Sequence, residues 1–391
     1  MNLLLVVALL VTCAYLGATY LFSRRARFGF YSAGVEFLLL GAILGSGALF
    51  QLPEDLFKNL YPFVHIELGW IGLLFGIQFD RRIIRRLAIL DWGFMWLRSI
   101  LTIIAVAVVG WLCFSICLKG SEENFVPTVL ILAAMASLSS SWTVSIIYNI
   151  MKVRSPLVRR LFFVSVLDDM PGLILFSALF FIYAGGGTID MILRFLGGTF
   201  TGYVLGNLII GLLRGRRESG QTLVVLIGSV LLAAGVAYSL GIPVIYVTLL
   251  SGIVVINAKP RLRDIYPIIA GAEHPLYLLF LILAGALWDP SNMLALALTL
   301  VLIVARFASK WLAFELSRPL VGIPGWGGKS ALALISPGGL TVAMVVNFAL
   351  FADRFPHTQL VLDVTVWALV LLNPLGVTIA KRVLAAPAEQ P

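Results

Sequence analysis

Ser165-Val166-Leu167-Asp168-Asp169-Met170-Pro171-Gly172 lies in the middle of a run, 157–184, that is otherwise apolar, with Phe162, Phe163, Leu173 and Phe176 around it. A run of this kind is what an α-helix needs to cross a bilayer, about 20 apolar residues. Arg160 marks its near end, and eight residues at about 1.5 Å each place Asp168 roughly 12 Å inside. A charge near the bilayer centre costs at least about 2.5–3.5 kcal/mol, so two adjacent carboxylates there need a functional account. Neighbouring residues on a helix point about 100° apart. The two therefore cannot serve one site identically: one can face a protein partner while the other faces a cavity.

The rest of the chain agrees that lipid is its solvent. Of 391 residues, 60% are hydrophobic and 12% charged, against about 25% charged in soluble domains. The mean hydropathy is +1.02. A cytosolic enzyme, a nucleic-acid-binding module and a secreted domain are excluded. Apolar runs at 2–22, 33–51, 62–79, 92–118, 127–151, 157–184, 189–213, 221–239, 242–258, 265–287, 291–317, 329–352 and 358–380 predict an all-α polytopic protein of about 13 spans. Pro53, Gly120, Gly185-Gly186-Gly187, Pro260, Pro290 and Pro324 punctuate the linkers. The join at Gly241-Ile242-Pro243 is tight.

The net charge of +9 is an orientation signal rather than a nucleic-acid footprint. Most basic residues fall in alternate linkers: Arg24/Arg25/Arg27, Arg81/Arg82/Arg85/Arg86, Lys152/Arg154/Arg159/Arg160, Arg214/Arg216/Arg217, Lys259/Arg261/Arg263, Arg318/Lys329 and Lys381/Arg382. The opposite linkers hold only Lys58, Lys119 and Arg354. The positive-inside rule then puts the N-terminus outside and the C-terminus in the cytoplasm. No basic residue precedes 2–22, so that run reads as a first span and not as a signal peptide. No soluble regulatory domain is expected. Cys13, Cys113 and Cys117 sit in apolar runs without His nearby, which supports neither a disulfide nor a zinc site.

Most other charges within the runs have structural accounts. Glu36, Asp80 and Glu315 are near helix ends, Glu273 and His274 precede Pro275, and Asp190 and Arg194 are spaced to pair at i, i+4. Arg98 lies within two turns of a cytoplasmic end, and Asp363 in the outer third of the last span. Lys310 differs. It precedes Arg318 by eight residues and is thus about 12 Å deep, level with Asp168. An ion pair between them offsets part of the desolvation of both. A buried carboxylate left over can bind a proton or a small cation but not both, and that competition is the physical content of antiport.

Two spans are interrupted at the same depth. Ser336-Pro337-Gly338-Gly339 breaks the twelfth, because Pro lacks an N–H and Gly disfavours helix. Ser137-Leu138-Ser139-Ser140-Ser141-Trp142-Thr143 is the corresponding segment of the fifth, although serines also bond back to their own helix. Spans 4–6 and 11–13 are offset by an odd number, so the triplets are inverted, and each has its interrupted member in the middle. Inverted repeats with broken helices near the midplane are a recurrent transporter design. An intramembrane enzyme using Asp-bound magnesium needs separated carboxylate clusters, and only one adjacent pair is present.

At these residues the chain resembles the monovalent cation/proton antiporter superfamily, the sodium/proton exchanger fold, over nearly its whole length. Glu67-Leu68-Gly69-Trp70-Ile71-Gly72-Leu73-Leu74-Phe75-Gly76-Ile77-Gln78-Phe79-Asp80 is similar to a segment of that family. The Asp168-Asp169 pair and Lys310 match its electrogenic branch, and Ser251-Gly252 and 275–286 resemble later helices. The uncharged Pro337-Gly338-Gly339-Leu340 and the bulky Trp142 depart from common family patterns. The resemblance implies exchange of Na+, Li+ or K+ for protons, with Asp169 binding the cation and Asp168 paired with Lys310. It further implies core bundles at 92–184 and 291–383, scaffold and dimerisation helices at 1–91 and 221–287, and a linker helix at 189–213. A homodimer in the bacterial inner membrane, without cofactor or enzymatic activity, is the corresponding expectation. An organic-anion symporter and a transport-inactive sensor or scaffold are the alternatives.

Overall fold

The computed structural model describes residues 12, 34–45, 54–85, 89–117, 125–140, 156–183, 187–213, 219–258, 265–321, 326–350 and 357–385. The run 2–22 and the residues Ser141, Trp142 and Thr143 lie outside the described residues. The described chain is helical throughout. In order the principal helices are α1 (Val35–Gly45), α2 (Glu54–Gln78), α3 (Ile89–Cys117), α4 (Val126–Ser137), α5 (Pro156–Leu167), α6 (Asp169–Tyr183) and α7 (Thr188–Leu212). They continue with α8 (Ser219–Leu240), α9 (Val244–Ala258), α10 (Ile265–Leu287), α11 (Met293–Val321), α12 (Gly339–Ala349) and α13 (Thr358–Ala385). Helices α3, α7, α8, α11 and α13 are individually long and apolar enough to cross a membrane.

The helices group into two compact units. The first contains 50–87 and 177–280. Its packing runs on small residues, as expected where lipid removes any hydrophobic reward for helix association. A Cβ on Gly76 of α2 would come within 2.8 Å of Gly252 Cα on α9, and one on Gly252 within 2.5 Å of the Leu73 carbonyl. Helix α7 presents Gly198, Gly202 and Gly206 at four-residue spacing to the same helix, and Ser251 donates to the Gly202 carbonyl at 2.9 Å. The tight join is a left-handed turn. Gly241 has φ 64°, and the Gly241 and Ile242 amides donate to the Tyr238 and Ala237 carbonyls, so the two runs are separate helices.

The second unit contains 24–49, 88–176 and 281–391. Helix α3 packs along α11, with α4 beside the one and α13 beside the other. Phe94 meets Phe314 and Trp326 edge-on at 5.0 and 4.9 Å, closing one end. At another place Asp363 accepts from the Asp289 amide, Asn292 and Gln359, which ties the turn before α11 to α13. That is the structural role expected of it. Asp190 and Arg194, by contrast, make no ion pair, since an exposed pair gains too little to order two side chains.

The breaks fall where the sequence puts its helix breakers. Pro171 lacks an amide for the Leu167 carbonyl, and its ring crowds that carbonyl, so the span divides between α5 and α6 at Asp168. Helix α4 stops at Ser137 and continues as extended backbone at Leu138 (φ −62°, ψ 151°). The segment Gly328–Leu334 and helix α12 form the second broken span, bent by 56° around Pro337.

Candidate functional site

The two interrupted segments cross. The Ser140 amide donates to the Ser336 carbonyl at 2.9 Å. A Cβ on Gly338 would lie 3.2 Å from the Ser139 carbonyl oxygen and 3.3 Å from Ser140 Cα, so only glycine allows this approach without displacement. Ser336 donates in turn to Asn373 of α13 at 2.9 Å, which fixes the far side of the crossing. Gly338 is extended (φ −94°, ψ 177°), and Gly339 begins α12.

Asp168 and Asp169 are both buried beside this crossing, with different surroundings. Asp168 is saturated. Its Oδ1 accepts from Arg98 Nε at 2.7 Å and Ser99 Oγ at 2.9 Å, while its Oδ2 accepts from Arg98 Nη2 and from Ser139 Oγ at 2.8 Å. The guanidinium thus holds the carboxylate with both prongs of its fork, the strongest geometry available to such a pair. Among the described residues Asp169 accepts from the Ser139 amide, to Oδ1 at 2.9 Å, and it sits in the first turn of α6.

The partner of Asp168 is therefore Arg98 and not Lys310. Matching depth along the bilayer normal is necessary for a pair, but neighbouring helices decide it. Here α3 supplies Arg98 fully buried, its guanidinium held on the carboxylate and not extended toward the helix end. Lys310 Nζ instead reaches Ser139 Oγ at 2.7 Å and the Leu138 carbonyl at 3.3 Å. Arg306, one turn earlier on the same face of α11, donates from Nη2 to that same carbonyl at 2.7 Å. Both cations thus cap the C-terminal end of the half-helix α4, whose last carbonyls have no partner within the helix. Ser139 is the hub, since it bonds through its amide to Asp169 and through its hydroxyl to Asp168 and Lys310.

Residues Asp168, Asp169, Lys310, Ser139, Ser140, Ser336, Pro337, Gly338 and Gly339 are thus brought into one region of the second unit. Arg98, Ser99 and Arg306 join them without having been singled out by the sequence reading. The signal available for Arg306 was its i, i+4 spacing from Lys310; for Arg98 it was a depth of nine residues from the start of α3. Chemically, the cluster pairs a carboxylate committed to a guanidinium with a second that makes no ion pair among the described residues. Among the described residues no three His, Cys, Asp or Glu side chains group to hold a metal ion.

A family model described as sodium/hydrogen exchanger, transmembrane, matches residues 4–386. The fold is shared with the sodium proton antiporter MjNhaP1 from Methanocaldococcus jannaschii. Its structure at pH 8 superposes with a TM-score of 0.70 at 17% identity, covering 97% of this chain and 99% of that one. An electron-microscopy structure of the same antiporter gives 0.68 at 15% identity over all of both chains. No curated protein sequence matches. Apolar helices, inverted broken spans and a match over nearly the whole chain agree: this is an integral membrane transporter of the sodium/hydrogen exchanger family.

Proposed function

We propose that the protein exchanges a monovalent cation, Na+, Li+ or K+, for protons by alternating access, with Asp169 as the shared binding group. The observation that carries this reading is the asymmetry of the two carboxylates. All of the acceptor capacity of Asp168 that faces protein is taken by Arg98, Ser99 and Ser139. In this reading Asp169 Oδ2, the oxygen that does not accept from the Ser139 amide, takes the ion or the proton, and a single carboxylate cannot hold both at once. Ser139 gives the competition a route to the rest of the site, because the residue that caps Asp169 also touches Lys310 and Asp168.

In this reading Arg98 is the fixed counter-charge of Asp168, and Lys310 stabilises the exposed end of α4. The core bundles at 92–184 and 291–383 carry the site across the membrane relative to scaffold helices at 1–91 and 221–287. A homodimer in a bacterial inner membrane, N-terminus outside, completes the proposal. The test is cation-induced dequenching of a pH dye in proteoliposomes, with Na+, Li+ and K+ compared across pH. Asp169→Asn is expected to abolish dequenching for every cation. Exchange at the parent's rate in that variant would overturn the assignment.

A further inference from the structure

We propose that an apolar cavity beside the crossing, within the second unit, holds the end of a phospholipid acyl chain. Its wall is formed by Met135 of α4, Leu302 of α11, Pro337 and Thr341 at the crossing, and Val364 and Leu372 of α13. Its volume is about 40 Å³, where one water-sized sphere takes about 10–15 Å³ by the same measure. That leaves room for about three such spheres, the space of about three carbons at the end of a chain.

The polar side chains around the cavity offer water almost nothing to bond. Thr299 donates to the Ala295 carbonyl at 2.7 Å and Thr365 to the Val361 carbonyl at 2.8 Å, so both hydroxyl protons are committed within their own helices. Thr341 Oγ1 and Arg306 Nε are closed off from any water-sized space, and Arg306 Nη2 is engaged by the Leu138 carbonyl at 2.7 Å. What remains is a wall almost wholly of carbon. A water inside a protein needs about two to four polar partners, and apolar cavities stay dry. Until something apolar enters, the lining of such a void forfeits its dispersion contacts.

Position and depth identify the hydrocarbon. Ala136 of α4, Ile303 of α11 and Ala368 of α13 also line the cavity and are half-buried, which marks its mouth. Ile303 is flanked on its helix by Leu300 and Val304, exposed at 53% and 66%. With Leu312 and Leu316 these form an exposed apolar stripe at four-residue spacing, the side of α11 that meets lipid. Ala368 precedes Lys381 by thirteen residues, about 20 Å from the cytoplasmic face, and Ala136 lies about 15 Å along α4 from its opposite start at Val126. In a hydrocarbon core of about 30 Å both counts end near the midplane, where the acyl chains of the two leaflets terminate. A chain end entering there leaves one hydrocarbon surrounding for another. The gain is packing, because it fills the void and holds Pro337 and Thr341 against α4 and α13.

The probe is phosphatidylcholine brominated on the last carbons of one chain. Crystals of the full chain grown from bilayers containing it are expected to show an anomalous peak between Leu302, Pro337 and Ala368. The peak is expected to vanish in Ala368→Leu, whose longer side chain takes the same space, and to strengthen in Leu302→Ala, which enlarges it. Melting temperature in detergent is the second readout. Adding unmodified phosphatidylcholine is expected to raise it in the parent, to raise it less in Ala368→Leu and to raise it more in Leu302→Ala. No bromine peak at this place in the parent overturns the proposal, and so does a peak undiminished in Ala368→Leu. A peak in the parent with equal rises in all three proteins overturns the packing role of the chain end.

Discussion

The two units solve the problem of helix association in lipid by opposite means. In the first, α2, α7 and α9 approach until backbone meets backbone, through Gly72, Gly76 and Gly252 and through the Gly198–Gly202–Gly206 stripe. These contacts are made by backbone and small side chains, with no ion pair among them. In the second, α3, α4, α5, α6 and α11 are joined by a network of two guanidiniums, an ammonium, two carboxylates and a serine. Close packing of backbone against backbone makes a frame. A buried network whose members can exchange partners makes a site, because protonation or ion arrival changes its energy by amounts that packing cannot match.

The comparison can be broken most severely at Arg98. Arg98→Met leaves Asp168 as a buried uncompensated charge, and losing one member of such a pair costs about 3–5 kcal/mol. The yield of folded protein by fluorescence size exclusion is expected to collapse. Combining it with Asp168→Asn is expected to restore the yield; no recovery in the double variant would show that Arg98 acts through something other than that carboxylate. The corresponding cut in the first unit is Gly252→Val, which drives a side chain into the Leu73 carbonyl. Overpacking of this kind costs about 1–3 kcal/mol. A lowered melting temperature with unchanged apparent cation affinity is expected, and a changed affinity would show that the frame also tunes the site.

Ser139→Ala sharpens the comparison further. It removes the hydroxyl between Lys310 and Asp168 but retains the amide that caps Asp169. Hydrogen bonds to charged groups contribute about 1.5–3 kcal/mol, so a shifted pH profile of antiport with the cation still bound is expected. An unaltered profile would exclude the hydroxyl from coupling. The smallest effect is predicted for Glu315→Gln, which loses an exposed ion pair with Arg318 and keeps a side-chain oxygen to accept from the Gly328 amide. Such pairs contribute about 0–1 kcal/mol, and melting temperature and transport should be nearly unchanged.

How much of this was legible in the sequence follows from what stands out against an apolar background. Asp168, Asp169 and Lys310 stand out because charge is rare in the spans, and Pro337-Gly338-Gly339 because three breakers in succession cannot continue a helix. Depth along the membrane normal could be counted from the flanking arginines. Direction around the normal could not. Asp168 and Lys310 are level, yet Ser139 stands between them, and the helix that turns a cation onto Asp168 is α3. Arg98 was assigned to the cytoplasmic end because residue counting places it only a few turns in, whereas its burial depends on what packs around α3. The four-residue glycine stripe on α7 was readable and carries the opposite lesson, since repetition of a small residue marks a face without naming its partner.

The separation along the chain of the residues in the cluster also sets the order in which it is built during synthesis. Arg98 and Asp168 are 70 residues apart, whereas Ser139 waits for Lys310, 171 residues downstream, and Ser140 for Ser336. Segments emerge from the N-terminus at about 5–20 residues per second. The Arg98–Asp168 pair is thus available as soon as α5 and α6 enter the bilayer, and it delivers that carboxylate into lipid already neutralised. Asp169 enters earlier than every cation of α11. The nascent chain therefore passes through an interval in which one acidic group is chaperoned by its own neighbour and the other depends on water or a proton until the second repeat arrives.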